Sequence, residues 1–391
     1  MPAPLPRLHP PSRLLMGPGP SPVPQRVYEA LAQPVVGHLD PYLFGIFDEL
    51  QALLRRVFGT ENPYTMAISG TGTSGMEASV WSLVEPGAKV AVLINGFFCD
   101  RIAEMARRQG AEVVRLEKPW GEAFGDDEVR EFILREKPRV VAFVHAETST
   151  GVLQPGRAIC DSAHEVGALV IGDCVTSLGN LPVEVDKTGI DIAYSCSQKG
   201  LGCVPGLSPI TVSPQAVAYL RGRPSPNPSF YLDLGLLYDY WVGRKYHHTA
   251  SATLFYALRE ALAIIDEEGL QNRFRRIEEN HKAFVAGVEA MGLQMHVATP
   301  HRLWPLNAVR VPDGISDAAV RGHMLNDEGI EILGGFGLLT GRVFRIGIMG
   351  AGSTRENVLR VLGALEAALA KEGFRAAGKG RAAAEAWYAG R

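Results

Sequence analysis

Residues 190–213 read IDIAYSCSQKGLGCVPGLSPITVS and set a single lysine, Lys199, between two apolar segments. Neither IDIAY at 190–194 nor GCVPGLSPITVS at 202–213 is the charged surface on which lysines ordinarily sit. Two readings are open. A lysine at a strand end can lay its alkyl stem on apolar surface and lift the ammonium to water. The other is a lysine kept in a pocket as a nucleophile, since a partly desolvated amine has a lowered pKa and can form a Schiff base. The runs upstream decide what surrounds it. YTMAI precedes the helical MEASVWSLV, and KVAVLI precedes a helix around RIAEMARRQG. AEVVRL, RVVAFVHA, a helix around RAICDSAHEV, ALVIGD, IDIAYS and LSPITVS follow in order. Strands buried on both faces read as continuous apolar runs, and helices between them supply parallel crossovers. The fold class is therefore α/β, with a mostly parallel sheet.

The chain has 391 residues, of which 46% are hydrophobic and 21% charged, an ordinary globular composition with room for more than one domain. A net charge of −3 gives no electrostatic support for a nucleic-acid partner. Five cysteines, none in a CxxC pair, suit reduced thiols in a cytoplasm better than a disulfide framework or a zinc site. No apolar run approaches 18 residues and the proline-rich MPAPLPRLHPPSR is no secretory signal, so a soluble, cytoplasmic protein without membrane partners is expected. A helical pattern covers about Tyr42 to Phe58, and another, free of proline, about 250–291. Beyond a boundary near 268, short runs such as NAVRVP and VFRIGIMG suggest a smaller α+β domain. The expected division is an N-terminal arm over 1–15, a large domain over 16–267 and a small C-terminal domain over 268–391. The tail GKGRAAAEAWYAGR is expected to be mobile or weakly packed.

GTGTSG at 70–75 fits GxGxxG between a strand and a helix. As a dinucleotide loop it needs an acid near the end of the next strand, but KVAVLI runs into Asn95-Gly96-Phe97-Phe98, with Asp100 only beyond. That disfavours an NAD-dependent dehydrogenase. A phosphate monoester needs no such acid: the N–H groups of Gly72 and Thr73 and the Thr71 hydroxyl, at the positive end of a helix, serve it. The plainer alternative is a helix start that only caps itself. ALVIGD ends in Asp173, where open α/β sheets bind ligands. Asp173 could cap a helix, or could face a protonated pyridine nitrogen. Phe98, at the end of the strand after the phosphate loop, could stack on a flat cofactor or pack in the core. Arg345, inside the apolar VFRIGIMG, needs a partner, and a carboxylate clamp is a good one. His247 and His248 are adjacent and point apart on an extended chain, so no metal site is expected. His38 is a candidate for the substrate mouth.

LLMGPGPS at 14–21, ISGTGTSGMEA at 68–78, AETSTGVLQP at 146–155, GDCVTSLG at 172–179, SCSQKGLG at 195–202, KYHHT at 245–249 and FRIGIMG at 344–350 occur in this order. Together, over roughly residues 12–370, they resemble the class V aminotransferases among the fold type I pyridoxal-phosphate enzymes. The branch most similar is the alanine–glyoxylate and serine–pyruvate aminotransferase group. The resemblance implies a mostly parallel seven-stranded sheet in a large domain, a smaller α+β domain, and pyridoxal 5'-phosphate as cofactor. It makes Lys199 the Schiff-base lysine and Asp173 the pyridinium partner, and puts Thr71, Gly72, Thr73 and Gln198 at the phosphate. Thr148 falls near the ring hydroxyl, Val175 beneath the ring and Phe98 over it. Tyr246 and Thr249 reach the phosphate of a neighbouring subunit, which makes the enzyme a homodimer with shared sites. Arg345 holds the substrate carboxylate, helped by backbone near Gly19. Thr71 and Thr73 stand where animal members have a serine and a histidine, and Phe98 where they have a tryptophan. The implied reaction moves the amino group of alanine or serine to glyoxylate or pyruvate, with Lys199, once freed, as the proton shuttle. A ureidoglycine–glyoxylate enzyme, and a cysteine desulfurase, which would need a cysteine on a mobile loop, are the alternatives.

Overall fold

A computed structural model describes residues 5–390; residues 1–4 of the expected arm and Arg391 lie outside the described residues. Seven strands form the central sheet: β1 (Tyr64–Ser69), β2 (Lys89–Ile94), β3 (Glu112–Glu117), β4 (Val140–Val144), β5 (Leu169–Asp173), β6 (Ile192–Tyr194) and β7 (Leu207–Val212). Their order is β1-β7-β6-β5-β4-β2-β3. Only β7 opposes its neighbours, pairing antiparallel with β1 and β6, while the other pairs are parallel. The inner strand β4 is buried along its whole length, as an all-apolar VVAFV requires between two helix layers. At the edge, β3 carries the exposed Glu112, Arg115 and Glu117, charges that discourage further strand addition.

Because six strands share one direction, the carboxyl ends of β1, β2, β4, β5 and β6 open on one side of the sheet. Helix α1 (Gly72–Leu83) follows β1, and α2 (Phe97–Arg108) follows β2. Gly72 lets the first turn of α1 press on the loops after β5 and β6: a Cβ there would lie 3.0 Å from Cys196 Cβ and 3.2 Å from Val175 Cγ2.

The stretch expected as one helix over 250–291 is two, α3 (Ala252–Glu268) and α4 (Leu270–Ala290). Gly269, at φ +78°, breaks it. The first apolar core runs from Val27 to Ile265, and a second gathers Met16, Phe284, Val309, Phe344, Ile346 and Leu365. The second core includes a three-stranded antiparallel sheet of β8 (Leu306–Arg310), β9 (Leu333–Gly334) and β10 (Val343–Gly347), with β10 in the middle. Leu14–Leu15 pair in parallel with Ile330–Glu331, and the Met16 carbonyl accepts from the Gly347 N–H at 2.7 Å.

The C-terminal tail corrects its expectation. Gly380–Ala389 is a helix seated on α4 at Gly287, whose missing side chain admits the Gly380 carbonyl, 2.8 Å from where a Cβ would stand. Ala384 is fully buried, and the Tyr388 hydroxyl donates to Asn280 Oδ1 at 2.6 Å.

Candidate active site

Five residues after β6 the chain brings Lys199 into a cavity at the carboxyl edge of the sheet. Its side chain is only 8% exposed. Burial lowers the pKa of the amine; the Asp173 and Glu147 carboxylates act against that, and Arg345 adds to it. Nζ lies 3.5 Å from both Thr148 Oγ1 and Thr176 Oγ1. The peptide around it is tied to the chain's beginning. Ser21 N–H donates to the Gln198 carbonyl at 2.8 Å, and Ser21 Oγ donates to the Lys199 carbonyl at 2.7 Å. Gly19, at φ +115°, passes so close that a Cβ would stand 2.8 Å from Lys199 Cε. The snorkelling reading of Lys199 is thus set aside by its burial.

Asp173, at the last position of β5, lines the same cavity. It does not cap a helix. Its Oδ1 accepts from Val175 N–H at 2.8 Å and its Oδ2 from the Tyr194 hydroxyl at 2.7 Å. Burial pushes its pKa up from the ordinary 3.8 to about 6, although both hydrogen bonds pull the other way. Tyr194 was not legible as a site residue. The signal lay in the register: Asp173 pairs with Tyr194 across the β5–β6 ladder, so their side chains share a face.

Thr71, Gly72 and Thr73 stand at the start of α1, and Thr71 makes no side-chain capping bond to its own helix. The self-capping alternative therefore loses its expected bond. Gln198 lines the same cavity, and its buried Oε1 has no hydrogen-bond partner among the described residues. Val175 contributes an apolar wall. Phe98 also lines the cavity, but from the first turn of α2 rather than from a strand end, since β2 stops at Ile94. What holds that turn is Glu147, fully buried and absent from the sequence-level site. Its Oε2 accepts from the N–H groups of Phe98 at 3.0 Å and Cys99 at 3.3 Å, and Oε1 from the Ser149 hydroxyl at 2.6 Å. Ser149 Oγ in turn accepts from Phe97 N–H at 2.9 Å. A carboxylate at a helix N-terminus satisfies otherwise unpaired donors and the positive end of the dipole.

Arg345, in β10, is 1% exposed. Its Nε donates to the Gly334 carbonyl at 2.7 Å and Nη1 to the Thr148 carbonyl at 3.4 Å. Nη2 is buried with no partner among the described residues. The Phe336 ring covers the guanidinium, its centroid 4.0 Å from Cζ. Burial lowers the Arg345 pKa to about 10, against the pull of Glu147. Thr148 links the two functions, with its hydroxyl toward Lys199 and its carbonyl on Arg345.

Tyr246 and Thr249 are exposed on the loop after Gly243 and do not line this cavity. His38 does not line it either; its ring packs 4.9 Å from that of Tyr246. His247 and His248 do not point apart as expected: they bond each other through Nδ1 at 2.8 Å and are completed by the Phe230 carbonyl and Ser69 Oγ. Asp100, which lies beyond the position a dinucleotide would need filled, is paired with Arg115 at 2.8 Å.

A parallel sheet with a buried lysine, a buried acid and a helix start converging at its carboxyl edge defines a class of cofactor enzyme, and comparison with known proteins gives the family. Aminotransferase class-V matches residues 14–360. The (S)-ureidoglycine–glyoxylate transaminase of Bacillus subtilis is 38% identical over 378 residues, covering 92% of this chain and 91% of that one. The alanine–glyoxylate aminotransferase of Drosophila melanogaster is 39% identical over 368 residues, covering 93% of each. Among solved structures, an alanine–glyoxylate aminotransferase from Nostoc sp. superposes with a TM-score of 0.92 at 46% identity, covering 94% of this chain and 98% of that one.

The chain belongs to the class V aminotransferases. The cofactor is pyridoxal 5'-phosphate, and the cavity fits it on its own evidence. A buried amine, a buried acid, an aromatic face at Phe98, an uncommitted helix start and the unpartnered Gln198 oxygen all border one space.

Proposed function

We propose that the enzyme moves the amino group of a small amino acid, alanine or serine, to a small 2-oxo acid, glyoxylate or pyruvate. The observation that carries this reading is the junction at Thr148, which joins the buried Lys199 amine to an arginine whose Nη2 is buried and unpartnered. A site with one carboxylate clamp beside one amine suits an amino acid and a 2-oxo acid in turn. Ureidoglycine as the donor is equally well supported, since a relative of that name matches as well as those named for alanine.

In this reading Thr71, Gly72, Thr73 and Gln198 hold the cofactor phosphate, Phe98 and Val175 enclose its ring, and Asp173 keeps a proton on the ring nitrogen. Bound pyridoxal phosphate supplies an electron sink that makes the substrate α-carbon acidic. Arg345 orients the carboxylate of donor and acceptor alike. Lys199, inclined to the neutral form by burial, would take the α-proton and return it at the cofactor's C4′ carbon, a 1,3-transfer. The exposed Tyr246 and Thr249 support a homodimer in which each subunit completes the other's phosphate site. Five free cysteines support residence in a reducing cytoplasm. The two apolar cores support a division near residue 268 into a large and a small domain, except that Met16, expected in the large domain, packs in the second core. Cysteine desulfuration is disfavoured because all five thiols are buried.

Single-turnover mixing of the holoenzyme with L-alanine, L-serine or (S)-ureidoglycine, with mass-spectrometric detection of the oxo product, tests the proposal. At least one donor is expected to convert the bound cofactor to its amine form. Failure of all three, or near-normal transamination by Lys199→Ala, overturns it.

A further inference from the structure

Thr176 lies three residues beyond Asp173, in the GDCVTSLG segment, and the sequence marks it in no way. It is fully buried. Its hydroxyl is hydrogen-bonded directly to that of Thr148, and each hydroxyl oxygen is 3.5 Å from Lys199 Nζ. Among the described residues these two are the only hydrogen-bond partners of that amine. The rest of Thr176 is held firmly. Its carbonyl accepts from Asn180 Nδ2 at 2.8 Å, and Asn180 Oδ1 accepts from Gly350 N–H at 2.9 Å. Thr148 is held through its carbonyl on Arg345.

The proton count of this trio is specific. Two hydroxyls carry two protons; one lies in the bond between them, and one is left over. Against an ammonium, both oxygens can accept and the spare proton turns aside. Against a neutral amine, the spare proton can be donated to the nitrogen lone pair. The pair serves both protonation states by rotating hydroxyls, with no displacement of a heavy atom. The charged and titratable groups around the amine do not offer this. Asp173 is committed to Val175 and Tyr194, Glu147 to the start of α2, and Arg345 repels an ammonium. The Cys196 thiol, its pKa raised to about 12 by burial, stays protonated.

We propose that Thr176 is a further catalytic residue, which with Thr148 forms a hydroxyl pair that holds the Lys199 amine in both its charged and neutral states during proton transfer. The inference rests on the reading of Lys199 as the proton-transferring base.

The test uses Thr176→Val, which keeps the shape and removes the hydroxyl, Thr176→Ala in case valine does not fold, and Thr176→Ser. In cofactor-free protein, the pH dependence of Lys199 acylation by acetic anhydride, followed on the Lys199 peptide by mass spectrometry, reports the proton affinity of the amine. Loss of an acceptor for the ammonium is expected to lower that affinity about three- to tenfold in the valine and alanine variants. In holoenzyme the same variants are expected to lose about tenfold or more in kcat, with KM changed less than about threefold because the Arg345 clamp is untouched. Serine is expected to restore both readouts. An unchanged acylation profile together with kcat within twofold of the parent overturns the proposal. So does a loss of activity that serine does not rescue. If instead the acylation profile shifts as expected while Lys199→Ala still transaminates, the assignment of Lys199 as the base fails and the contact between the hydroxyls and the amine stands.

Discussion

Replacing Asp173 with asparagine separates what the site does for function from what it costs the fold. The carboxyl is 2% exposed and its pKa is raised from 3.8 to about 6, chiefly by burial. A difference of about two in pKa corresponds to roughly 3 kcal/mol against the charged form in the cofactor-free protein. The sign follows from proton occupancy. Between pH 3.8 and 6 the folded state keeps a proton that the unfolded state has lost, so this group's contribution to stability is present at low pH. It is lost as pH rises through 6 and stays lost above. Asparagine has no such slope. It must still accept from Val175 N–H, and the Tyr194 hydroxyl must re-pair with its amide, at a cost of about 1 kcal/mol. Cofactor-free Asp173→Asn is therefore expected to be about 1–3 kcal/mol more stable than the parent at pH 7.5, and level or slightly less stable near pH 4. Urea unfolding of both proteins, stripped of cofactor, at the two pH values measures the difference. A stability difference that does not change with pH refutes the reasoning. The same variant is expected to release cofactor more readily and to lose transamination.

If Arg345 clamps the substrate carboxylate as proposed, Arg345→Met removes a buried guanidinium whose Nη2 has no partner among the described residues, and kcat/KM is expected to fall about a hundredfold or more for amino donor and oxo acceptor alike. Steady-state kinetics with both substrates checks it, and a loss confined to one partner contradicts a shared clamp. Phe336→Ala uncovers the guanidinium that the ring shields at 4.0 Å, so KM is expected to rise about three- to tenfold for both substrates with kcat little changed. Gly19→Ala puts a methyl group against Lys199 Cε at a backbone φ of +115°, and is expected to displace the lysine. The change should appear as an altered visible spectrum of the bound cofactor.

The sheet could be read from the sequence because its inner strands are buried on both faces, which turns them into apolar runs such as VVAFV. Lys199 and Asp173 were legible because ionisable groups at the ends of such runs stand out. Thr176, Tyr194 and Glu147 did not stand out. Each acts through a partner 20 to 50 residues away that only sheet register or a tight loop brings near. A hydroxyl or a helix-capping acid also leaves no periodic trace. The C-terminal helix was missed for a related reason: its seat is the bare backbone of Gly287 in α4, and a glycine tells nothing in sequence about which segment will approach it.

The crossing of the first residues has a consequence for the order in which the enzyme is made. Leu14–Leu15 pair with Ile330–Glu331, Met16 joins the second core, and Gly19 and Ser21 then meet Lys199 and Gln198. On the ribosome that segment emerges about 300 residues before the strand that fixes it. The central sheet can assemble early, but the wall beside the lysine closes only when synthesis is nearly done. Capture of the cofactor in a finished pocket is thus an event of the complete chain, and a truncated chain lacking Ile330–Glu331 leaves Lys199 without one of its walls.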